Sequence, residues 1–114
     1  TINEIIKILI KERFLNEERF AKIFCEVKLR TRKWGRIKII YELKKRYISE
    51  NNIKKGLTTI SEFEYIQILK ELLQKKSKSI KEVNQLKKKQ KIVNFLLQRG
   101  FESNLIWDYI DIYN

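Results

Sequence analysis

The sequence has no proline, no histidine, a single cysteine and three glycines in 114 residues. With proline absent and apolar–polar alternation nowhere sustained, helices are the only regular structure the pattern supports. Without histidine there is no Ser-His or Cys-His pair for nucleophilic catalysis and no Cys/His cluster for zinc. Gly35, Gly56 and Gly100 lie too far apart for a phosphate-cradling loop. No two carboxylates sit among apolar residues in a way that would raise a pKa. The chain therefore reads as a non-enzyme with no metal and no cofactor. Cys25 reads as a small core residue, and a lone cysteine fits a reducing, cytoplasmic setting. No stretch approaches the ~18 uncharged apolar residues of a membrane span. Thr1 to Ile10 is interrupted by Asn3, Glu4 and Lys7, so it is not a signal peptide either.

What the sequence does hold is positive charge. The net charge is +12, and its distribution says more than its size. Residues 28–46 contain nine Lys/Arg against Glu42, and residues 75–91 contain eight Lys against Glu82, a combined +15 that leaves −3 for the rest. Two concentrated basic segments point to an anionic partner.

Apolar spacing gives the helices. Ile2, Ile5, Ile6, Leu9 and Ile10 form one stripe on a helix expected to end near Lys11 or Glu12. Asn16 then reads as the N-cap of a second helix, with Glu17 and Glu18 at its positive end and Phe20, Ile23, Phe24 and Val27 as its stripe. A third starts between Gly35 and Ile37 and carries Ile37, Ile40, Tyr41, Leu43 and Tyr47. Ser49 caps a fourth, with Ile53 and Leu57 inward. Ser61-x-x-Glu64 and Ser79-x-x-Glu82 have capping-box spacing and open two more. These carry Ile66, Leu69 and Leu73, then Val83, Leu86, Val93 and Leu96. A last helix, from near Ser103, carries Ile106, Tyr109, Ile110 and Tyr113.

Sliding the sequence by 53 residues lays "IIYELKKRYISENNIKKGL" (Ile39 to Leu57) on "IVNFLLQRGFESNLIWDYI" (Ile92 to Ile110). The alignment pairs Ile39 with Ile92, Leu43 with Leu96, Arg46 with Arg99, Asn51 with Asn104 and Ile53 with Ile106. An amphipathic helix precedes each copy, so the unit is three helices long and is expected to stack on its neighbour. The organisation expected is residues 1–12 as the last helix of a truncated first repeat, 13–60 as a second three-helix repeat and 61–114 as a third. The fold class is all-α, with tandem three-helix repeats stacked into an elongated, curved array.

The candidate binding surface is the stretch "LRTRKWGRIK", Leu29 to Lys38. Lys28, Arg30 and Arg32 fall at a helix C-terminus, where the dipole favours cations. Lys33, Arg36 and Lys38 fall before and inside the first turn of the next helix, where it disfavours them and where backbone N–H groups form an anion site. A local rule broken without local compensation points to function. Reversing these three to Glu is accordingly expected to leave the helices intact. Lys44, Lys45 and Arg46 extend the basic corner. Trp34 is open to two readings, a plug between the helices or an exposed stacking residue. Lys87, Lys88 and Lys91 form a secondary patch. With Lys89 they read as lying within a longer helix, around which consecutive lysines cannot all face one partner.

Several segments belong together: "FLNEERFAKIF" (Phe14 to Phe24), Arg30, Gly35, "IIYELKKRYI" (Ile39 to Ile48) and "KIVNFLLQRGFESNLI" (Lys91 to Ile106). In this order and spacing they resemble the RecX family of bacterial recombination regulators. Tyr47 stands where that family commonly has Gly. The resemblance implies an all-helical protein of three tandem three-helix repeats, which binds the RecA recombinase filament and restrains its strand exchange, ATP turnover and co-protease activity. A monomer with weak, non-specific DNA binding is expected, and because the basic stripes accompany ordinary core stripes rather than exposed Trp/Phe faces, no membrane association is expected. Starting at Thr1 without Met, inside an amphipathic pattern, the chain is expected to begin partway through a longer one. The alternative reading is a stand-alone basic helical module that binds DNA or RNA.

Overall fold

The structure is a computed structural model that describes residues 1–112, without the side chains of Arg13 and Phe14. Tyr113 and the Phe14 side chain, both named above, lie outside the described residues. Six helices follow one another: α1 (Ile2–Arg32), α2 (Arg36–Lys45), α3 (Glu50–Leu57), α4 (Glu62–Ser79), α5 (Gln85–Gln98) and α6 (Ser103–Ile110). There is no strand among the described residues, and the rod measures 71 × 23 × 21 Å.

The break expected near Lys11 does not occur. α1 is one helix of 31 residues, about 46 Å long at 1.5 Å per residue. Nothing between Lys11 and Asn16 is a breaker, since Lys, Glu, Arg and Leu are good helix formers and Asn lowers helix propensity by only about 0.7 kcal/mol. Glu17 and Glu18 are consequently mid-helix residues, not caps. Glu17 Oε2 accepts from Asn52 Nδ2 at 3.2 Å, and Glu18 lies 3.3 Å from Lys22 Nζ and 3.9 Å from Lys55 Nζ, which ties α3 to α1.

The buried face of α1 is also rotated from the expected one. Ala21, Phe24, Cys25 and Leu29 are buried, while Phe20, Ile23 and Val27 are exposed. The reason lies in α3. A Cβ added at Gly56 would stand 2.8 Å from the Ala21 carbonyl oxygen, so the two helices cross in backbone contact at their two smallest residues. That crossing fixes the Ala21 side as the inner one. Towards the N-terminus no element covers α1, and Ile2, Ile5, Ile6, Ile8, Leu9 and Ile10 are all exposed.

Two similar units emerge from the C-terminal half of α1 onward. The pairs Ile39/Ile92, Leu43/Leu96 and Ile53/Ile106 are buried in both. The turns that follow α2 and α5 match in their hydrogen bonds. Tyr47 N–H donates to the Lys44 carbonyl at 3.0 Å and Ile48 N–H to Leu43 at 3.2 Å. Gly100 donates to Leu97 at 3.0 Å and Phe101 to Leu96 at 3.1 Å. Both turns need a left-handed residue, Tyr47 at φ 60° and Gly100 at φ 93°. The first helices repeat at a shorter interval, because buried Ala21, Cys25 and Leu29 stand 48 residues before buried Leu69, Leu73 and Ser77.

Part of the difference is the α4–α5 link, five residues (80–84) against three (33–35) between α1 and α2, and the rest is mainly extra helix at the start of α5. At this link the capping-box expectation fails. Ser79 is the last residue of α4, its Oγ donating to the Lys76 carbonyl at 3.0 Å, and α5 is opened instead by Asn84, whose Oδ1 accepts from Lys87 N–H at 3.1 Å. Val83 and Leu86 are left 92% and 80% exposed. Asn16, inside the unbroken α1, caps nothing either, whereas Ser49 and Ser61 cap as expected, Ser49 accepting from Asn52 N–H and Ser61 from Glu64 N–H.

A basic joint between the two units

The α1–α2 corner is made by three residues. Lys33 closes α1 in the left-handed conformation (φ 56°), donating to the Leu29 carbonyl at 3.1 Å, and Trp34 N–H reaches back to the Lys28 carbonyl at 3.2 Å. This double closure leaves Gly35 extended, as the N-cap of α2. The start of α2 then meets the α5–α6 turn backbone to backbone. Gly35 N–H donates to the Arg99 carbonyl at 2.7 Å and Ile37 N–H to Gly100 at 3.0 Å. A Cβ on Gly35 would fall 2.3 Å from the Gly100 carbonyl carbon and oxygen, and one on Gly100 would fall 2.4 Å from Lys38 Cβ. Both glycines are therefore required by close approach.

This geometry corrects one expectation. The amides of Gly35, Arg36 and Ile37 do not wait for an anion, because Arg36 N–H is taken as well, by the Tyr65 hydroxyl at 2.9 Å. Arg36 itself is built into the joint. Its Nη1 lies 2.8 Å from Glu102 Oε2, its Nη2 bonds Glu62, and its guanidinium carbon sits 3.8 Å from the Tyr65 ring centroid. The Tyr65 hydroxyl in turn donates to Glu102 Oε1. Burial, then that bond to an anion, pushes the Tyr65 pKa well above the ordinary tyrosine range, so it stays a neutral donor. The compensation that Arg36 lacks locally comes from carboxylates 26 and 66 residues away. Reversing Arg36 to Glu would set three carboxylates together, so the expectation that the triple reversal spares the fold is wrong.

The remaining basic residues separate into paired and unpaired sets. Arg30 forks onto Glu64 at 2.6 and 3.1 Å, which holds that carboxyl below its usual range, with Lys33 adding to the effect. Arg46 bonds Glu42 at 3.1 Å and stacks 5.0 Å from the Phe24 ring centroid, and Lys45 lies 3.7 Å from the same carboxylate. Arg32 and Lys44 are exposed, and the Arg32 carbonyl receives Arg99 Nη1 at 2.5 Å. Trp34 is half-buried rather than exposed, in the position of the plug reading. It packs 6.2 Å from Phe24 between the helices, and its ring carries Lys28 Nζ at 5.1 Å and Lys38 Nζ at 4.8 Å. The same motif recurs around Phe95, with Lys76 Nζ at 4.5 Å and the Arg99 guanidinium at 5.3 Å. Sequence reasoning missed Lys76, Phe95 and the siting of Arg99, because they reach the α1–α2 corner only through the joint. The one signal available was the 53-residue alignment of Arg99 with Arg46.

The lysine run is placed differently from expectation. With α5 starting at Gln85, Lys87, Lys88 and Lys89 stand at its N-terminal end, where no acidic residue offsets them within the first turn. Lys89 pairs with Asp111 at 2.6 Å and Lys91 with Glu82 at 3.2 Å, while Lys87 is exposed and Lys88 half-buried. Glu82 is held below its ordinary pKa by the Asn84 amide and by Lys91. Among the described residues, no group of His, Cys, Asp and Glu could hold a metal ion, and no helix is long and apolar enough to cross a membrane.

Fold and joint together define an all-α protein of tandem three-helix repeats, whose two units are fastened by buried polar contacts and flanked by cations. Residues 16–57 match the family profile described as RecX, second three-helix domain, and residues 63–110 match RecX, third three-helix domain. The chain belongs to the RecX family. It is similar to the "Regulatory protein RecX" of Clostridium acetobutylicum (34% identical over 104 residues, 88% of this chain and 48% of that protein). It is also similar to those of Caldanaerobacter subterraneus (33% over 90 residues, 78% and 42%) and Halalkalibacterium halodurans (31% over 105 residues, 92% and 40%). The chain thus spans less than half the length of these relatives. No solved structure matches it.

Proposed function

We propose that this chain is the core of a regulator that binds the DNA filament of a RecA-type recombinase and restrains its strand exchange, ATP turnover and co-protease activity, without a cofactor, as a cytoplasmic monomer. The observation that carries this reading is the division of charge at the joint. Arg30 and Arg36 are neutralised by Glu64, Glu62 and Glu102 and hold the units at a fixed angle. Lys28, Lys38, Lys76 and Arg99 are held on aromatic rings beside them. A 71 Å rod with such an edge suits a helical groove lined by phosphates and acidic loops, into which it would lie as a wedge.

Residues 1–12 are read as belonging to a preceding repeat, 13–60 as the second and 61–114 as the third, with α1 shared between the first two. Support comes from the exposed isoleucines of the α1 N-terminal half, which a preceding unit would bury. The test is binding to recombinase alone, recombinase on single-stranded DNA, and DNA alone. The filament is expected to bind at least tenfold tighter than either component. Equal affinity for bare DNA and filament would favour a stand-alone nucleic-acid module instead.

A further inference from the structure

Two neighbouring depressions on one side of the rod have no carboxylate in their lining. The first is formed by Trp34, Lys38, Phe95, Gln98 and Arg99. The second shares Phe95 and Gln98 and adds Lys76, Ile80, Lys91 and Asn94. They run from α2 of one unit across the joint to α4 and α5 of the other. Lys28, Lys38, Lys76 and Arg99 have no ion-pair partner among the described residues, although Arg30, Arg36, Arg46 and Lys91 all do. Their charged groups rest on Trp34 and Phe95 instead, at 4.5 to 5.3 Å from the ring centroids. Each ring is thus framed by two cations, and the amides of Gln98 and Asn94 lie along the same floor.

We propose that this track binds a single strand of DNA, with phosphates on Lys28, Lys38, Lys76 and Arg99 and unstacked bases against Trp34 and Phe95. The inference rests on the filament reading above and names the strand as the occupant of its cationic side. Alternating cations and aromatic faces fit a chain whose charges and π-surfaces alternate. A duplex hides its base faces, and an acidic peptide would engage the cations and leave both rings unmatched. Because the track crosses the Gly35–Gly100 contact, a bound strand bridges both units, so its affinity depends on the joint remaining closed.

The experiment uses fluorescein-labelled oligo(dT) and the Trp107→Phe variant, which leaves Trp34 as the only tryptophan at the expense of a residue that is half exposed. Four phosphate contacts give a log–log salt slope of about −2.8, hence about 50-fold weaker binding at 200 mM than at 50 mM salt, with Trp34 fluorescence quenched on binding. Replacing Lys28, Lys38 and Lys76 together by Gln is expected to weaken binding at least tenfold and reduce the slope to about −0.7. The same charge change at Lys7, Lys11 and Lys54, all exposed and outside the track, is expected to leave the slope within about 0.5 of the parent. Circular dichroism of both triples checks that the helices persist.

Equal loss in the two triples would mean that net charge alone binds, and would overturn the proposal. So would binding without Trp34 quenching, tighter binding of oligo(rU) than oligo(dT), or tighter binding of poly-L-glutamate than of either. If oligo(dT) binds and quenches as expected but the recombinase filament is not recognised, the track stands and the filament reading falls. If the filament is restrained undiminished by the Lys28/Lys38/Lys76 triple, and that triple still binds oligo(dT) like the parent, the track falls and the filament reading survives.

Discussion

Replacing Tyr47 by Gly should stabilise the protein, against the usual direction for removing an aromatic. Tyr47 sits at φ 60° with its side chain 90% exposed, in the turn where the second unit has Gly100. A non-glycine residue in the left-handed region costs about 1–2 kcal/mol. The exposed ring returns little burial energy, while glycine gives back about 0.5–1 kcal/mol through the greater freedom of the unfolded chain. The net expectation is a gain of about 0.5–1 kcal/mol, or roughly 2–5 °C in Tm for a domain of this size. Scanning calorimetry or thermal circular dichroism reads it directly. The matched control is Gly100→Ala, where φ is 93° and the new Cβ would lie 2.4 Å from Lys38 Cβ. That change is expected to destabilise by about 3 kcal/mol or more, strain and overpacking together. A Tyr47→Gly protein that melts at or below the parent temperature would refute the equivalence of the two turns as an energetic statement.

Other expectations follow from the joint and the core. Arg36→Ala should destabilise by about 2–3 kcal/mol in urea unfolding, because Glu102 and Tyr65 lose their shared partner. Arg36→Lys should recover only part of this, since an ammonium cannot fork between Glu62 and Glu102. Trp34→Ala should cost about 2 kcal/mol, less than for a fully buried tryptophan, and should weaken oligonucleotide binding in the same variant. Cys25, fully buried and with its thiol pushed up to about 11 by burial and then by Glu26, should resist iodoacetamide at pH 7.5 until urea unfolds the chain. Glu64 has a folded pKa below its ordinary 4.5, so its contribution to stability is present above pH 4.5 and is lost as pH falls through the folded value. Arg30→Ala should accordingly show a shallower loss of Tm below pH 4.5 than the parent.

The parts of the fold legible in the sequence were those set by local chemistry. Ser49 and Ser61 cap because their hydroxyls reach an amide three residues on, and the 53-residue alignment works because two copies of one turn bury Leu43 and Leu96 alike. Ser79 has the same local pattern and fails, because a longer link lets Asn84 compete for the role. The inner face of α1 was not legible, since it is decided by the Gly56–Ala21 crossing, a contact 35 residues apart that leaves larger residues outside. The candidate site divides in the same way. Lys38 could be singled out for breaking a local rule, and Trp34 for standing among the cations beside it. Arg36 breaks the same rule for a different reason, supplied by Glu62 and Glu102, and Phe95 with Lys76 breaks none.

The unbroken α1 makes the molecule a counted ruler. In a single helix each residue adds about 1.5 Å and about 100° of rotation, with no loop to absorb an error. Deleting one residue between Lys11 and Asn16 would swing the Ile2/Ile5/Ile6/Leu9 stripe about 100° around the axis relative to the Ala21/Cys25/Leu29 face, leaving every residue in both stripes chemically unchanged. Inserting seven residues would shift phase by only about 20° while lengthening the arm by about 10 Å. On the proposal that a preceding repeat packs on this stripe, length variation in the segment should come in steps near seven, and a single-residue indel should unseat that repeat while leaving an intact helix.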